Sequence, residues 1–527
     1  MATASVTASS VRSHPLALGG LVRRTVGEIA CGVQVLLGAA VVLLAAERQS
    51  WITSLHRGAW TSWFAGPLQG LLPSLTADPA LLQRALGDIQ LAMLGVWLLV
   101  LLGGRTVRAP AVVASVVALN VLFVLCPLLR GTDVFNYIGY ARLDVVQHLN
   151  PYVALPLAQH GDPVYAYSNW HRLRSPYGPL FTILMLPTAW LPVPAAYWVY
   201  KVFATIASLG LLAAVWACAR RLGRAPAPAV AFVGLNPIVL VWALGGKHTE
   251  FLMMALVMAG CLLALGRREV LGGATLAAAV AIKASAGLLA PVIALGIARR
   301  RRSVAGLVAG GAVLAGMSYL AFGPHLPDLR DQGRLVSAYS IPNLLGYAAG
   351  RGGADHTVLL IARTLMVGGT AVCATYAWKT RRWATAAGWA GLIAALTTSW
   401  LVAWYIMWAL PLVAISRSRT LRAATVLVTV WFVLVGAWVA GPFLHAHGFR
   451  PRATPVGQAN YRFERSVLTD PPAGKMRRPG RASARAPILR RRNGSVGRPS
   501  SAPSRGAAHR RVHRGAPRHR HRASAGR

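Results

Sequence analysis

Acidic residues are scarce. The 527 residues carry 14 Asp and Glu against 55 Lys and Arg, a formal net charge of +41. No two acids are adjacent and no D-x-D occurs, which argues against a soluble nucleotide-sugar site and a strong metal site. No G-x-G-x-x-G or G-x-x-x-x-G-K-[ST] cradle for a nucleotide phosphate is present either. The five cysteines, Cys31, Cys126, Cys218, Cys261 and Cys373, lie singly inside apolar runs, so no disulfide framework follows and packing is their simplest role. No repeat of fixed period is found, and no small-residue processing site follows the first apolar run. What the chain has instead is hydrophobic surface: 55% of residues are hydrophobic, 13% are charged and the mean hydropathy is +0.49. That is too apolar for a water-soluble protein of this length, and the fold class expected is an all-α, polytopic transmembrane bundle.

Apolar length locates the crossings, and arginine and lysine orient them, because basic loops stay in the cytoplasm. A cytoplasmic basic N-terminus, 1–28, precedes spans Ile29 to Ala46, Ile89 to Leu102 and Ala111 to Leu129. Residues 130–192 then form a large outer loop containing "YGPLFTILMLPTAWLP", too short to span and expected to dip or lie flat. Further spans are Val193 to Ala219, Pro228 to Leu244 and Phe251 to Leu265, followed by a hairpin between "GRRE" and "RRRR" that turns near Lys283. The last are Val304 to Phe322, Val358 to Trp378, Ala384 to Leu396, Leu401 to Ile415 and Ala423 to Ala440. The membrane domain is therefore 29–441, with about thirteen crossings. Residues 442–527 are rich in Arg, Pro, Ser, Gly and His, and read as a disordered, dispensable basic tail with no nucleic-acid role.

The outer loops hold most of the polar chemistry. In "GTDVFNYIGYARLDVVQHLNPY", Asp133, Tyr137, Tyr140 and Asp144 share one helical face, and Val134, Ile138, Ala141 and Val145 share the other. This predicts an amphipathic helix along the membrane surface, polar face outward. Asp133 is either a partly desolvated general base or a helix N-cap. Cations collect near the same face: Arg130, Arg142, Arg172, Arg174, Lys201, Lys247, His248, Lys283 and Arg363. Such a collection suits a phosphate carried on a lipid, and Lys201, deep in an apolar helix, is expected to need an anion. Trp170, Tyr177, Trp400, Trp404, Tyr405 and Trp408 could pack on sugar faces or belong to an interfacial belt.

"DVFNYIGYARLDVVQHLNPY" and "SPYGPLFTILMLP", with "GGKHTEFLMMALVMAG", "AIKASAGLLAP" and "WYIMWALPL", resemble the polyprenyl-phosphate-sugar-dependent glycosyltransferases of the GT-C superfamily, especially bacterial mannosyltransferases. The resemblance implies transfer of a sugar, with inversion, from a polyprenyl-phosphate donor to an envelope glycan or glycolipid on the extracytoplasmic face. It implies no cofactor and no metal. Asp133 would be the base, with Asp144 and Glu250 as supporting acids. Arg142, Arg174, Lys201, Lys247, His248 and Lys283 would bind the lipid phosphate, and Tyr137, Tyr140, Tyr177, Trp404 and Tyr405 would contact sugar or acceptor. The chain departs from the family's His-Asn-Asp pattern in having His248, Thr249 and Glu250 there. An arabinofuranosyltransferase and a lipid-linked-sugar flippase are the competing readings.

Overall fold

The computed structural model describes residues 14–47, 61–72, 79–129 and 131–468. Arg130 and residues 469–527, the larger part of the expected tail, lie outside them. Among the described residues every regular element is helical.

The first half comprises α1 (His14–Glu47), α2 (Ser62–Ala65), α3 (Pro79–Gly103), α4 (Ala109–Leu125), α5 (Asp133–Val145), α6 (Pro179–Met185), α7 (Val193–Arg221), α8 (Pro226–Gly234), α9 (Glu250–Leu265) and α10 (Glu269–Ile282). The second comprises α11 (Ala290–Gly296), α12 (Arg300–Phe322), α13 (Ile341–Ala348), α14 (His356–Thr380), α15 (Trp383–Thr397), α16 (Leu410–Ile415), α17 (Arg419–Gly436), α18 (Ala440–Ala446) and α19 (Pro455–Leu468). Proline sets many of these boundaries. It opens α4, α6, α7, α8, α11, α13 and α16 from the first turn, where its missing N–H costs nothing, and Pro127 follows the end of α4.

Among the described residues, six helices are long and apolar enough to cross a bilayer: parts or all of α1, α3, α7, α12, α14 and α17. The other expected spans are shorter or broken. At 1.5 Å per residue, the 16 residues of α9 and the 14 of α10 extend roughly 24 and 21 Å, less than the ~30 Å hydrocarbon layer. The expected span from Pro228 to Leu244 is interrupted at Asn236 and Pro237 and continues as a π-helical turn, Val239–Leu244. Leu401 to Ile415 is likewise a 3₁₀ segment, Ala403–Trp408, followed by α16. The hairpin does turn at Lys283, whose extended backbone ends α10. Irregular backbone at membrane depth is tolerated where protein buries it or a cavity is lined by it, and these breaks cluster around one cavity.

Two expectations are corrected. The segment from Asp133 is a helix, but not one lying open on the membrane surface: α5 is enclosed by α6, α7 and the 3₁₀ turn Leu186–Trp190, leaving Tyr137 and Tyr140 each 2% exposed. Aromatic packing and a phenol-to-carbonyl bond, Tyr140 Oη to Leu173 O at 2.7 Å, satisfy its polar face from within. Helical structure also continues past residue 442. Val467 of α19 is buried with Trp170 and Leu173, and Phe463 and Leu468 pack on them, so the start of the basic tail is apolar enough on one side to dock.

Close helix contacts use glycine, as expected where no hydrophobic force drives helices together in lipid. At the α10–α12 seam, a Cβ on Gly306 would fall 2.0 Å from the Val270 carbonyl oxygen, and one on Gly273 would fall 2.0 Å from that of Ser303. Gly311, on the same helix, has no atom within 4 Å of its Cβ position. Gly306→Ala should therefore cost about 1–3 kcal/mol through overpacking, whereas Gly311→Ala should be neutral or stabilising. Thermal unfolding of the detergent-purified protein checks this, and equal midpoints for the two variants would refute the seam.

Candidate active site

The approach to α5 places Asp133. After α4 ends, the Leu129 N–H donates to the Gly245 carbonyl at 3.0 Å, pinning this loop to the end of the π-helical turn. Thr132 is the N-cap, but no side chain caps the helix, so the capping role open to Asp133 is not the one it takes. Asp133 is the first helical residue instead, where the positive end of the helix favours its carboxylate.

His248 is set opposite by an uncommon turn. Gly245 and Gly246 follow the π-helical stretch, Lys247 takes φ +53°, and its Nζ donates to Thr205 Oγ1 at 2.9 Å on α7. This delivers His248 Nδ1 to 3.1 Å from Asp133 Oδ2, with the histidine side chain fully buried and the aspartate 16% exposed. The contact is close but poorly aligned, leaving both ring nitrogens without a true hydrogen bond. The imidazole stacks on Trp404, with centroids 3.6 Å apart and planes 11° from parallel.

A second acid–base pair lies beside the first. Glu250 opens α9, Lys283 ends α10, and Lys283 Nζ stands 2.5 Å from Glu250 Oε1. The ammonium is also 5.1 Å from the Tyr405 ring centroid. The Gly178 N–H donates to the Ile282 carbonyl at 3.0 Å, and a Cβ there would lie 2.1 Å from the Ala281 oxygen. Only glycine lets the Tyr177 loop lie flush against the end of α10, next to Lys283.

These groups border a cavity of about 220 Å³. Among the described residues, Asp133 is its sole lining carboxylate and Lys283 its sole lining cation. Its remaining walls are mostly aromatic, from Trp170, Tyr177, Trp242, Trp400, Trp404 and Tyr405, with Asn169 and Gln332 as amides and Leu468 of α19 at one edge. Larger cavities open at the other end of the bundle: two are lined by arginines with no carboxylate among their described lining residues, and in a third Glu269 faces Arg299 at 3.9 Å. Among the described residues, no three His, Cys, Asp or Glu are grouped to hold a metal ion.

The expected residues divide accordingly. Asp133, Tyr177, Lys283, Trp404 and Tyr405 line the cavity, and His248 and Glu250 sit directly behind it. The six expected phosphate ligands do not converge on one anion. Arg142 Nε is 2.9 Å from Asp162, and its Nη1 donates to the Ala189 carbonyl at 3.0 Å. Arg174 bonds the Val153 carbonyl at 2.9 Å and faces Asp328 at 3.8 Å. Lys201 needs no external anion: its Nζ donates to the Cys126 carbonyl at 2.8 Å and lies 3.7 Å over Trp198. Lys247 is directed at Thr205, away from Asp133.

Tyr137 packs edge-on against Tyr177, Phe181 and Tyr200 rather than on the cavity. Burial holds the Tyr137, Tyr140 and Tyr177 phenols well above their ordinary value, so none competes as an anion. Asp144 is eleven helical positions from Asp133, roughly 16 Å, and burial raises its carboxyl, with His148 opposing. Asn169, Trp242, Gln332 and Leu468 escaped the sequence reading. Asn169 lies in the loop 130–192 already marked as a candidate and Gln332 between the expected spans Val304 to Phe322 and Val358 to Trp378, whereas Trp242 and Leu468 carry no signal in an apolar run and a basic tail.

Comparison with known proteins bears on what this site does. The profile of the MptA_B family, described as the alpha-(1->6)-mannopyranosyltransferase N-terminal domain, matches residues 32–299, and that of glycosyltransferase family 87 matches residues 176–435. Alpha-(1->6)-mannopyranosyltransferase A of Mycobacterium tuberculosis is 29% identical over 403 residues, covering 68% of this chain and 76% of the relative. The protein of the same name from Corynebacterium glutamicum is 30% identical over 227 residues, 39% of this chain and 44% of the relative. A probable alpha-(1->6)-mannopyranosyltransferase of Mycolicibacterium smegmatis is 27% identical over 204 residues, 37% of this chain and 36% of the relative. No solved structure matches. The first profile spans just over half of the chain and includes Asp133, His248, Glu250 and Lys283, so the protein belongs to the MptA_B family and is a membrane glycosyltransferase.

Proposed function

We propose that the protein transfers a mannosyl residue from a polyprenyl-phosphate carrier to a glycan or glycolipid acceptor, with inversion, in the Asp133 cavity on the extracytoplasmic face. The observation that carries this reading is the pairing of one carboxylate with one ammonium on the wall of an aromatic cavity. Asp133 takes the proton of an acceptor hydroxyl as its oxygen attacks the anomeric carbon. The bond from that carbon to the phosphate oxygen breaks, and the electron pair leaves with the lipid phosphate. Lys283 faces the charge that develops there, held in place by Glu250. His248 orients the Asp133 carboxylate, and Trp404 fixes the plane of the imidazole. The cavity, about 220 Å³, has room for little beyond the reacting sugar, so the isoprenoid chain stays in the bilayer.

The names of the relatives support mannose as the donor sugar. Charge supports this face: the opposite end of the bundle gathers Arg224, Arg381, Arg382, Arg417 and Arg419, as a cytoplasmic end does. About thirteen crossings of GT-C type remain our reading of the short and broken segments.

Asp133→Asn should reduce transfer from polyprenyl-phosphate-mannose in membranes about 10²–10⁴-fold at unchanged expression. Transfer at the parental rate would exclude Asp133 as the base. Lys283→Gln should lower both stability and transfer, because it strands a fully buried Glu250 carboxylate, a loss of about 3–5 kcal/mol for a broken buried pair. Adding Glu250→Gln should restore the thermal midpoint but not the transfer rate. Recovery of both in the double variant would show that Lys283 has only a structural task.

A further inference from the structure

Two cavities of about 680 and 490 Å³ open at the end of the bundle remote from Asp133. They share a wall formed by Arg224 and the stretch Ser416, Arg417, Ser418 and Arg419. Arg381 and Arg382 also line the first, and Arg105 and Arg422 the second. Neither has an Asp or Glu among its lining residues.

The topological charge rule alone does not account for this arrangement. That rule is satisfied by arginines exposed to water, as Arg301 and Arg302 are at the start of α12 and as Arg417 and Arg419 are here, but it does not call for buried polar groups among them. The shared wall is different, because it holds polar groups removed from water and without partners. Ser416 is 3% exposed, and its Oγ, shut off from solvent, makes no hydrogen bond. Arg224 spends Nη1 on the Ser416 carbonyl at 3.2 Å, while its buried Nε is unpaired. Burial, and then the like charges of Arg417 and Arg422, push the Arg224 guanidinium down from its ordinary value. A buried hydroxyl and guanidinium nitrogen left unsatisfied among mutually repelling cations are costly unless an anion completes them.

Helix geometry adds to the same field. The first residues of α15, Trp383 to Thr385, and of α17, Arg419 and Thr420, line the larger cavity. At α17 the N-cap Ser418 already accepts the Leu421 N–H at 3.1 Å, so the free first-turn donors belong to α15. No side chain caps α15, so its N–H donors have no partner from that source.

We propose that these twin cavities bind a phosphate-bearing anion, with Arg224, Ser416, Arg417 and Arg419 forming a wall between two phosphate positions. Guanidinium forks, a hydroxyl and helix N-termini are the donors that phosphate oxygens take. The phosphate belongs either to the headgroup of an anionic lipid in the adjoining leaflet or to a soluble polyphosphate.

The test uses the full chain in nanodiscs of phosphatidylcholine, with and without phosphatidylglycerol, and in phosphatidylcholine with pyrophosphate at matched ionic strength. An occupied site raises the thermal midpoint by about 2–4 °C. A rise with phosphatidylglycerol alone supports the site and assigns it to lipid; a rise with pyrophosphate supports it and assigns it to a soluble anion. In either case the Arg417→Gln, Arg419→Gln variant loses the rise, and the Arg301→Gln, Arg302→Gln variant keeps it. Native mass spectrometry of retained phosphatidylglycerol or pyrophosphate gives a second readout if the first variant is poorly stable. No rise with either anion, or equal loss in both variants, overturns the proposal.

Discussion

Inside a hydrocarbon layer an ionised side chain must be answered by the protein itself, and in this chain that constraint decides which charges are left for chemistry. Lys201 is answered by a carbonyl and an indole, Lys247 by a threonine, and Arg142 by Asp162 and two carbonyls. Once these are assigned, the Asp133 cavity keeps one carboxylate and one ammonium on its wall among the described residues. Each is backed by a buried partner, His248 behind Asp133 and Glu250 behind Lys283. The breaks in the surrounding helices let α9, α10 and the Ala403–Trp408 turn bring polar side chains to one place.

Much of this was legible in the sequence, for identifiable reasons. The long spans show as apolar runs bounded by arginines, and the hairpin at Lys283 follows because both of its ends carry basic clusters. Asp133 stands out because acids are so few. What could not be read was pairing. Nothing in the order of residues says that Arg142 meets Asp162 or that Lys201 meets the Cys126 carbonyl, since these partners are brought together only by packing. The amphipathic pattern of α5 was real, yet its tyrosines turned inward: Tyr140 satisfies its hydroxyl on the Leu173 carbonyl, and Tyr137 packs among aromatic rings. Leu468 reached the cavity from a segment whose composition suggested no fold.

The bundle thus has two chemically different ends. At one, a near-neutral set of acid–base pairs and aromatic rings surrounds a small cavity suited to a neutral sugar beside a single phosphate. At the other, two larger cavities are lined by arginines with no acid among their described lining residues, beside a third where Glu269 faces Arg299. The same scarcity of acids underlies both: Glu250 is placed where Lys283 must be held in position, and the arginines of the other end are left with few carboxylates to answer them.

The most direct measurement of the central claim is an electron cryomicroscopy structure of the protein bound to a polyprenyl-phosphate-mannose analogue that cannot be cleaved. The account predicts the phosphate in contact with Lys283 Nζ, the sugar ring against Trp404, and the anomeric carbon facing Asp133 on the side opposite the phosphate. A phosphate seated away from Lys283, or a sugar whose anomeric carbon cannot be approached from the Asp133 side, would contradict it.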